Sequence, residues 1–124
     1  MVINKKNIQD IPKDIYNQAI KDGIIFNDNV NLFFLEKKSL IGFVGLIVKK
    51  TKAFFKCDYI LPEFRNKGYY KILFLFRINL CKEMNIKVLE ANCTKMSIKY
   101  YLKNGFKIKK KYKNGITKVM YENL

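Results

Sequence analysis

The stretch PEFRNKGYYK, residues 62–71, sets Arg65, Lys67, Gly68 and Lys71 between the apolar pair Ile60-Leu61 and the apolar run ILFLF. Positive charge where a helix opens suits an anion, because the first N–H groups of a helix lack acceptors and its dipole is positive at that end. Gly68 would let the main chain approach a ligand closely. A phosphate-bearing ligand is the chemistry these residues point to, although Tyr69 and Tyr70 stand where small residues suit a phosphate turn. An ordinary turn between a strand and a helix explains the same residues without a ligand.

Acid–base chemistry is restricted by what is missing. The chain has no histidine, which removes Ser-His-Asp and Cys-His arrangements and the HExxH zinc motif. Proton transfer must then use Tyr, Asp, Glu, Lys, Cys, a backbone group or water. Asp58, Glu63 and Glu90 are the carboxylates near the relevant segments, and Tyr100 and Tyr101 the phenols. Cys57, Cys81 and Cys93 are odd in number and have no CxxC spacing, so no zinc site is expected. Cys93 reads either as a site thiol or as a small buried hydrophobe.

The elements that would position these groups follow from periodicity and breakers. A helix is predicted near 12–22, entered at Asp10 or Ile11 with Pro12 in its first turn and stopped by Gly23. Strands are predicted at 32–36, 40–48 and 53–61, an antiparallel meander. From Tyr69 the apolar positions 69, 72, 73, 76, 80 and 84 follow helical spacing, and 74, 75 and 78 widen the stripe, so the helix is apolar around much of its circumference. Residues 86–93 read as a strand, on which Glu90 and Asn92 share a face. Thr94 can cap the helix SIKYYLKN, which Gly105 ends. A terminal hairpin joins 106–111 to 116–121 through Lys113-Asn114-Gly115. The predicted order is α, β, β, β, α, β, α, β, β, and 53–93 has the β-loop-α-β form of a parallel crossover.

Two motifs in this order resemble the GNAT superfamily of N-acetyltransferases. Ile60-Leu61-Pro62-Glu63-Phe64 followed by Arg65-Asn66-Lys67-Gly68-Tyr69-Tyr70 is similar to its acyl-CoA signature, Arg/Gln-x-x-Gly-x-Gly/Ala after an apolar-x-Pro-Glu strand end. Ser97 to Phe106 is similar to its small-x-x-x-Tyr-x-x-x-Gly-Phe pattern. The resemblance covers roughly the last three-quarters of the chain. It implies a mixed α/β (α+β) fold with a mostly antiparallel central sheet, helices on both faces and a parallel β-α-β cofactor unit, in one domain over 1–124. It further implies acetyl-CoA as cofactor. The backbone of Ile60 and Leu61 would pair with the pantetheine arm. N–H groups from Arg65, Asn66, Lys67, Gly68, Tyr69 and Tyr70 would hold the pyrophosphate, with Lys71 adding charge. Asn92 would line the cofactor cleft, and Tyr101 would protonate the departing thiolate. Asp58 and Glu90 are the candidate bases, Glu63 a cap or solvent-facing acid.

Two departures from the pattern carry weight. Tyr70 replaces the final small residue of the signature, and its ring would either point away from the cofactor or obstruct it. The amino-terminal part is short: one helix is expected where the family has a strand and two helices. That would leave an open acceptor side, suited to a bulky acceptor, unless residues between Gly23 and Asn31 form the wall irregularly.

Bulk properties set the remaining expectations. The 124 residues suit one domain. Formal charge is +15, with 25 basic residues of which only Arg65 and Arg77 are arginines. This fits either a nucleic-acid partner or lysine enrichment through codon bias. No apolar leader and no membrane-length apolar run are present, and a soluble cytoplasmic protein is expected. The functional expectation is acetyl transfer from acetyl-CoA to an amine, the acceptor being a small molecule or a macromolecule. The alternatives are a phage-like relative that modifies a nucleobase in DNA or RNA, and a non-catalytic basic module that binds nucleic acid. A homodimer paired through its sheets is a further expectation from the family.

Overall fold

The computed structural model describes residues 1–95 and 97–124. The chain runs β1 (Val2–Lys6), α1 (Lys13–Lys21), β2 (Asn31–Glu36), β3 (Leu40–Lys49), β4 (Lys52–Ile60), α2 (Tyr69–Glu83), β5 (Val88–Cys93), α3 (Ile98–Lys103), β6 (Lys107–Lys111) and β7 (Thr117–Glu122). Short 3-10 turns sit at Ile8–Asp10 and Pro62–Phe64. The strands hydrogen-bond in the order β1-β2-β3-β4-β5-β7-β6. β4 and β5 pair in parallel, whereas β1–β2, β2–β3, β5–β7 and β6–β7 are antiparallel. This is the mixed, mostly antiparallel sheet with a β-α-β crossover expected from the sequence.

Contacts divide the chain into two compact units, one of Met1–Ile47 with Lys56–Asn79 and one of Val48–Phe55 with Leu80–Leu124. In the first, β2 and β3 are near-continuous apolar runs, as strands covered on both faces tend to be. Phe34, Phe43, Val44 and Leu46 are buried. Gly45 is needed for close approach, since a Cβ there would lie 2.6 Å from the carbonyl oxygen of Lys56. A chain of rings, Tyr16–Phe26–Phe43–Tyr59, ties α1 and the segment after it to β3 and β4.

Expectations for β1, α1 and α2 are corrected in detail. A first strand exists: β1 pairs with β2 from Val2↔Glu36 to Lys6↔Leu32. Its side chains are mostly exposed, so backbone pairing rather than an apolar face makes it a strand. Pro12 is the N-cap position of α1, and Asp10 instead accepts the Asn7 N–H at 2.8 Å in the preceding 3-10 turn. In α2 the buried positions are Leu73, Phe74, Arg77 and Cys81, while Ile72 and Leu75 are exposed. Leu73 and Phe74 lie in the widened stripe read from the sequence, but the buried face is centred on Arg77 and Cys81, because Arg77 takes an interior place by pairing with Asp58.

In the second unit β5 buries Leu89, Ala91 and Cys93. Ser97 rather than Thr94 is the N-cap position of α3, and it makes no side-chain capping bond; Thr94 instead offers its carbonyl to the N–H groups of Ser97 and Ile98. Gly105, at φ +93°, closes α3 as the Gly105 and Phe106 N–H groups reach back to Leu102 and Tyr101. Its missing side chain also matters, for a Cβ would stand 2.7 Å from the Tyr121 ring. Among the described residues no helix is long and apolar enough to cross a membrane.

Candidate cofactor turn and acid–base residues

After β4 the chain makes its 3-10 turn, with the Phe64 N–H on the Leu61 carbonyl at 2.9 Å. Asn66 at φ +61° and Gly68 at φ +82° then turn the chain into α2. No atom beyond the chain neighbours lies within 4 Å of where a Cβ on Gly68 would stand, so glycine serves here for conformation and openness rather than packing. The first turn of α2 presents N–H groups that the helix itself cannot satisfy. Lys67 and Lys71 are exposed beside it. An open, positively charged helix start is a fit for a diphosphate.

Arg65, the first residue of the signature, folds back. Its Nε donates to the Ile60 carbonyl at 2.8 Å, its guanidinium lies 5.3 Å from the Tyr59 ring centre, and Nη2 is 3.7 Å from Asp22 Oδ2. Tyr59 donates to the same Asp22 oxygen at 2.6 Å. That bond holds the Asp22 carboxyl below its usual value. Burial first, and Asp22 second, push the Tyr59 phenol up to about 12. Leu61 is engaged at both ends, its N–H on Ile41 and its carbonyl on Phe64.

Tyr70 does not lie over Gly68. Its hydroxyl donates to Asp58 Oδ2 at 2.5 Å, and its ring meets Phe74 at 6.0 Å. The same carboxylate receives Arg77 through two bonds, Nη1 to Oδ1 at 2.6 Å and Nη2 to Oδ2 at 2.7 Å. Arg77 Nη1 also donates to the Gly45 carbonyl at 2.9 Å. Sequence reasoning missed Arg77. Its signal was a lone arginine, one of only two in the chain, four residues after Leu73 on an apolar helix. Asp58 follows Cys57, whose left-handed φ of +60° re-aims the strand locally. The Cys57 thiol donates to the Ile25 carbonyl at 3.3 Å, and burial pushes it up to about 11.

Glu90, Asn92 and Tyr101 belong to the second unit. Glu90 is buried on β5, with Lys52 Nζ 2.9 Å and Lys118 Nζ 3.6 Å from Oε1. Asn92, opposite Lys118 in the β5–β7 pairing, is exposed. Tyr101 is buried, edge-on to Phe106 at 5.0 Å and 6.5 Å from Phe55. Its neighbour Tyr100 is half-buried, which raises its phenol. Glu63 is exposed in the 3-10 turn. A groove of about 600 Å³ in the first unit is lined by Asn7, Gln9, Lys13, Tyr16 and Asp28 among others, and by none of the predicted site residues.

A sequence model of the acetyltransferase (GNAT) family matches residues 6–106. The chain belongs to that family. This GNAT chain is similar in fold to the IAA acetyltransferase of Bacillus cereus, at TM-score 0.73 and 18% identity over 98% of both chains. It is also similar to the PaiA N-acetyltransferase of Thermoplasma acidophilum, solved with coenzyme A, at 0.71 and 17% over 98% of this chain and 99% of that one. A GNAT acetyltransferase of Elizabethkingia anophelis, solved with acetyl-CoA, aligns at 0.71 and 17% over 98% and 97%. No curated protein matches the chain in sequence.

Proposed function

We propose that the chain is an acetyl-CoA-dependent N-acetyltransferase, one functional domain over 1–124 that passes an acetyl group to an acceptor amine by direct attack in a ternary complex. One observation carries the reading: the start of α2 is open at Gly68 and flanked by Lys67 and Lys71, because Tyr70 turns its hydroxyl to Asp58. The large residue that departs from the family signature thereby leaves the phosphate turn clear. The coenzyme A and acetyl-CoA bound in structures of similar fold support the choice of donor.

When bound, acetyl-CoA supplies an activated thioester carbonyl. Main-chain N–H groups of residues 66–70 grip the diphosphate, with Lys67 and Lys71 adding charge. The main chain at Ile60 meets the pantetheine arm, a smaller share than the sequence implied, since Leu61 is engaged at both ends within the fold and the Ile60 carbonyl already accepts Arg65 Nε. Asp58 positions the start of α2 through Tyr70 and Arg77, because both its oxygens are committed to those donors. Tyr101 donates a proton to the leaving sulfur, its ring fixed by Phe106 and Phe55. Asn92 lines the site, and Glu90 receives the amine proton by way of water. Positioning of the two reactants accounts for much of the rate.

The test is steady-state turnover of acetyl-CoA with a panel of amines for Tyr101→Phe beside Tyr100→Phe. Tyr101→Phe is expected to lower kcat about 100-fold, a general-acid effect, with KM for acetyl-CoA nearly unchanged. Tyr100→Phe leaves both constants alone. Equal turnover in wild type and Tyr101→Phe removes the acid role. If saturating acetyl-CoA fails to raise the melting temperature, the donor assignment goes with it.

A further inference from the structure

The lysines are not spread evenly. Residues 91–121 hold nine of them and no Asp or Glu, while the remaining 93 residues hold all ten acids. Lysine enrichment through codon bias adds lysine but gives no reason for acids to vanish from one continuous segment. All nine except Lys118 are exposed.

The fold concentrates them further. β6 reads KIKKK, is exposed at every residue and, among the described residues, pairs with β7 alone, whose other side is taken by β5. The pairing slips between Ile108 and Lys110, and Lys110 then stands directly opposite Lys118. Like charges facing each other across strands destabilise a sheet. On α3, which packs against β6 and β7, the exposed Lys99 and Lys103 repeat the conflict at i, i+4 spacing. Among the described residues two pairs offset this charge in part, Lys109 with Glu122 at 2.5 Å, which holds that carboxyl below its usual value, and Lys118 with Glu90 at 3.6 Å, while Lys107, Lys110 and Lys111 are exposed. Protection of an edge from strand pairing needs a charge or two. It does not call for lysine facing lysine.

We propose that the β6 edge with the outer face of α3 is a binding surface for a single-stranded nucleic acid. An anionic backbone laid along the edge neutralises the facing lysines and removes the repulsion they store. Exposed Tyr112, with the Lys110 ammonium 5.0 Å from its ring centre, supplies a stacking face beside the charge, the pairing used by sequence-tolerant single-strand binders. Duplex DNA fits less well. A two-stranded ribbon can enter a major groove, but β5 occupies the far side of β7, so β6–β7 is not a free ribbon. Lysines without arginine also match backbone contact rather than base reading. The surface does not depend on the acyl-transfer reading and is tested without cofactor.

The test is fluorescence anisotropy over a salt series with labelled single-stranded RNA and DNA about 16 nucleotides long, the matching duplex, and phosphatidylserine vesicles. Two charge-matched variants are compared with wild type. One carries Lys107, Lys109, Lys110 and Lys111 changed to Gln; the other carries Lys5, Lys6, Lys37 and Lys38 changed to Gln, all exposed in the first unit. The β6 variant is expected to bind single strands at least about tenfold more weakly, with the slope of log K against log salt shallower by up to about 3, or about 0.7 per phosphate contact. The control changes affinity less than about twofold. Preference for RNA or for DNA names the strand. Equal losses in both variants, tighter binding of the duplex, or tighter binding of the vesicles overturns the proposal. Melting curves accompany each variant, and if the fourfold β6 change fails to fold, the Lys110→Gln/Lys111→Gln pair carries the same comparison.

Discussion

The two compact units use charge in opposite ways. The first holds eleven basic and seven acidic residues, the second fourteen and three. In the first, charges near the candidate cofactor turn are tied inward: Arg77 and Tyr70 to Asp58, Arg65 and Tyr59 to Asp22. In the second, Glu90 lies between Lys52 and Lys118, and most of the remaining positive charge is exposed, with Lys110 opposite Lys118 across β6 and β7. A buried ion pair that also satisfies a backbone carbonyl fixes geometry. An exposed lysine array contributes little to the fold and creates a field. Charge in the first unit therefore reads as structure, and charge in the second as a surface.

Breaking the inner network should have the largest effect. Arg77→Leu leaves Asp58 without its two-bonded partner in a site where the arginine is fully buried. A loss of about 3–5 kcal/mol is expected by urea denaturation, and the Asp58→Leu/Arg77→Leu double variant should recover much of it. A single-variant loss below about 1 kcal/mol would place Arg77 among ordinary surface charges. Tyr70→Phe comes next. It deletes one hydrogen bond to a carboxylate, expected to cost about 1.5–3 kcal/mol, and should raise KM for acetyl-CoA as the start of α2 loosens. Unchanged stability and KM would mean that the strut positions nothing.

A smaller effect belongs to Cys57. Its thiol is raised from 9.0 to about 11 by burial, so the folded state binds the proton more tightly than the unfolded chain does. The associated stability is intact below pH 9 and is lost as pH rises from about 9 to 11. Denaturation midpoints across that range should fall less steeply for Cys57→Ser, and identical slopes would remove the thiol as the cause. The smallest effect sharpens the contrast. The fourfold β6 lysine-to-glutamine variant should leave stability within about 0.5 kcal/mol per site or raise it, as relief of facing charges predicts. A fall like that of Arg77→Leu would make the second unit's charge structural too.

Much of this was present in the sequence. Strong apolar runs marked β2, β3 and β4, and Gly68, Gly105 and Asn114-Gly115 marked the turns, because left-handed conformations and tight turns leave few residue choices. Both family motifs were readable because they are local. β1 was not, since Val2-Ile3-Asn4-Lys5-Lys6 has almost no apolar pattern and becomes a strand by pairing with a distant segment. Nor was the interior place of Arg77 on α2, because periodicity treats an arginine as outward and cannot know that a carboxylate waits 19 residues earlier.

The sequence by itself determined the order of elements from α1 onward, the glycine turn into α2 and the acid-free lysine run, all consequences of composition within a few residues or along one segment. Tertiary structure alone decided that Tyr70 turns to Asp58 rather than over Gly68, that Arg77 is interior, and that Lys110 faces Lys118. Each of those depends on residues 8 to 32 positions apart meeting across the fold. Hydrogen-bond geometry and strand register exist only once the chain has closed on itself, and no local pattern encodes them.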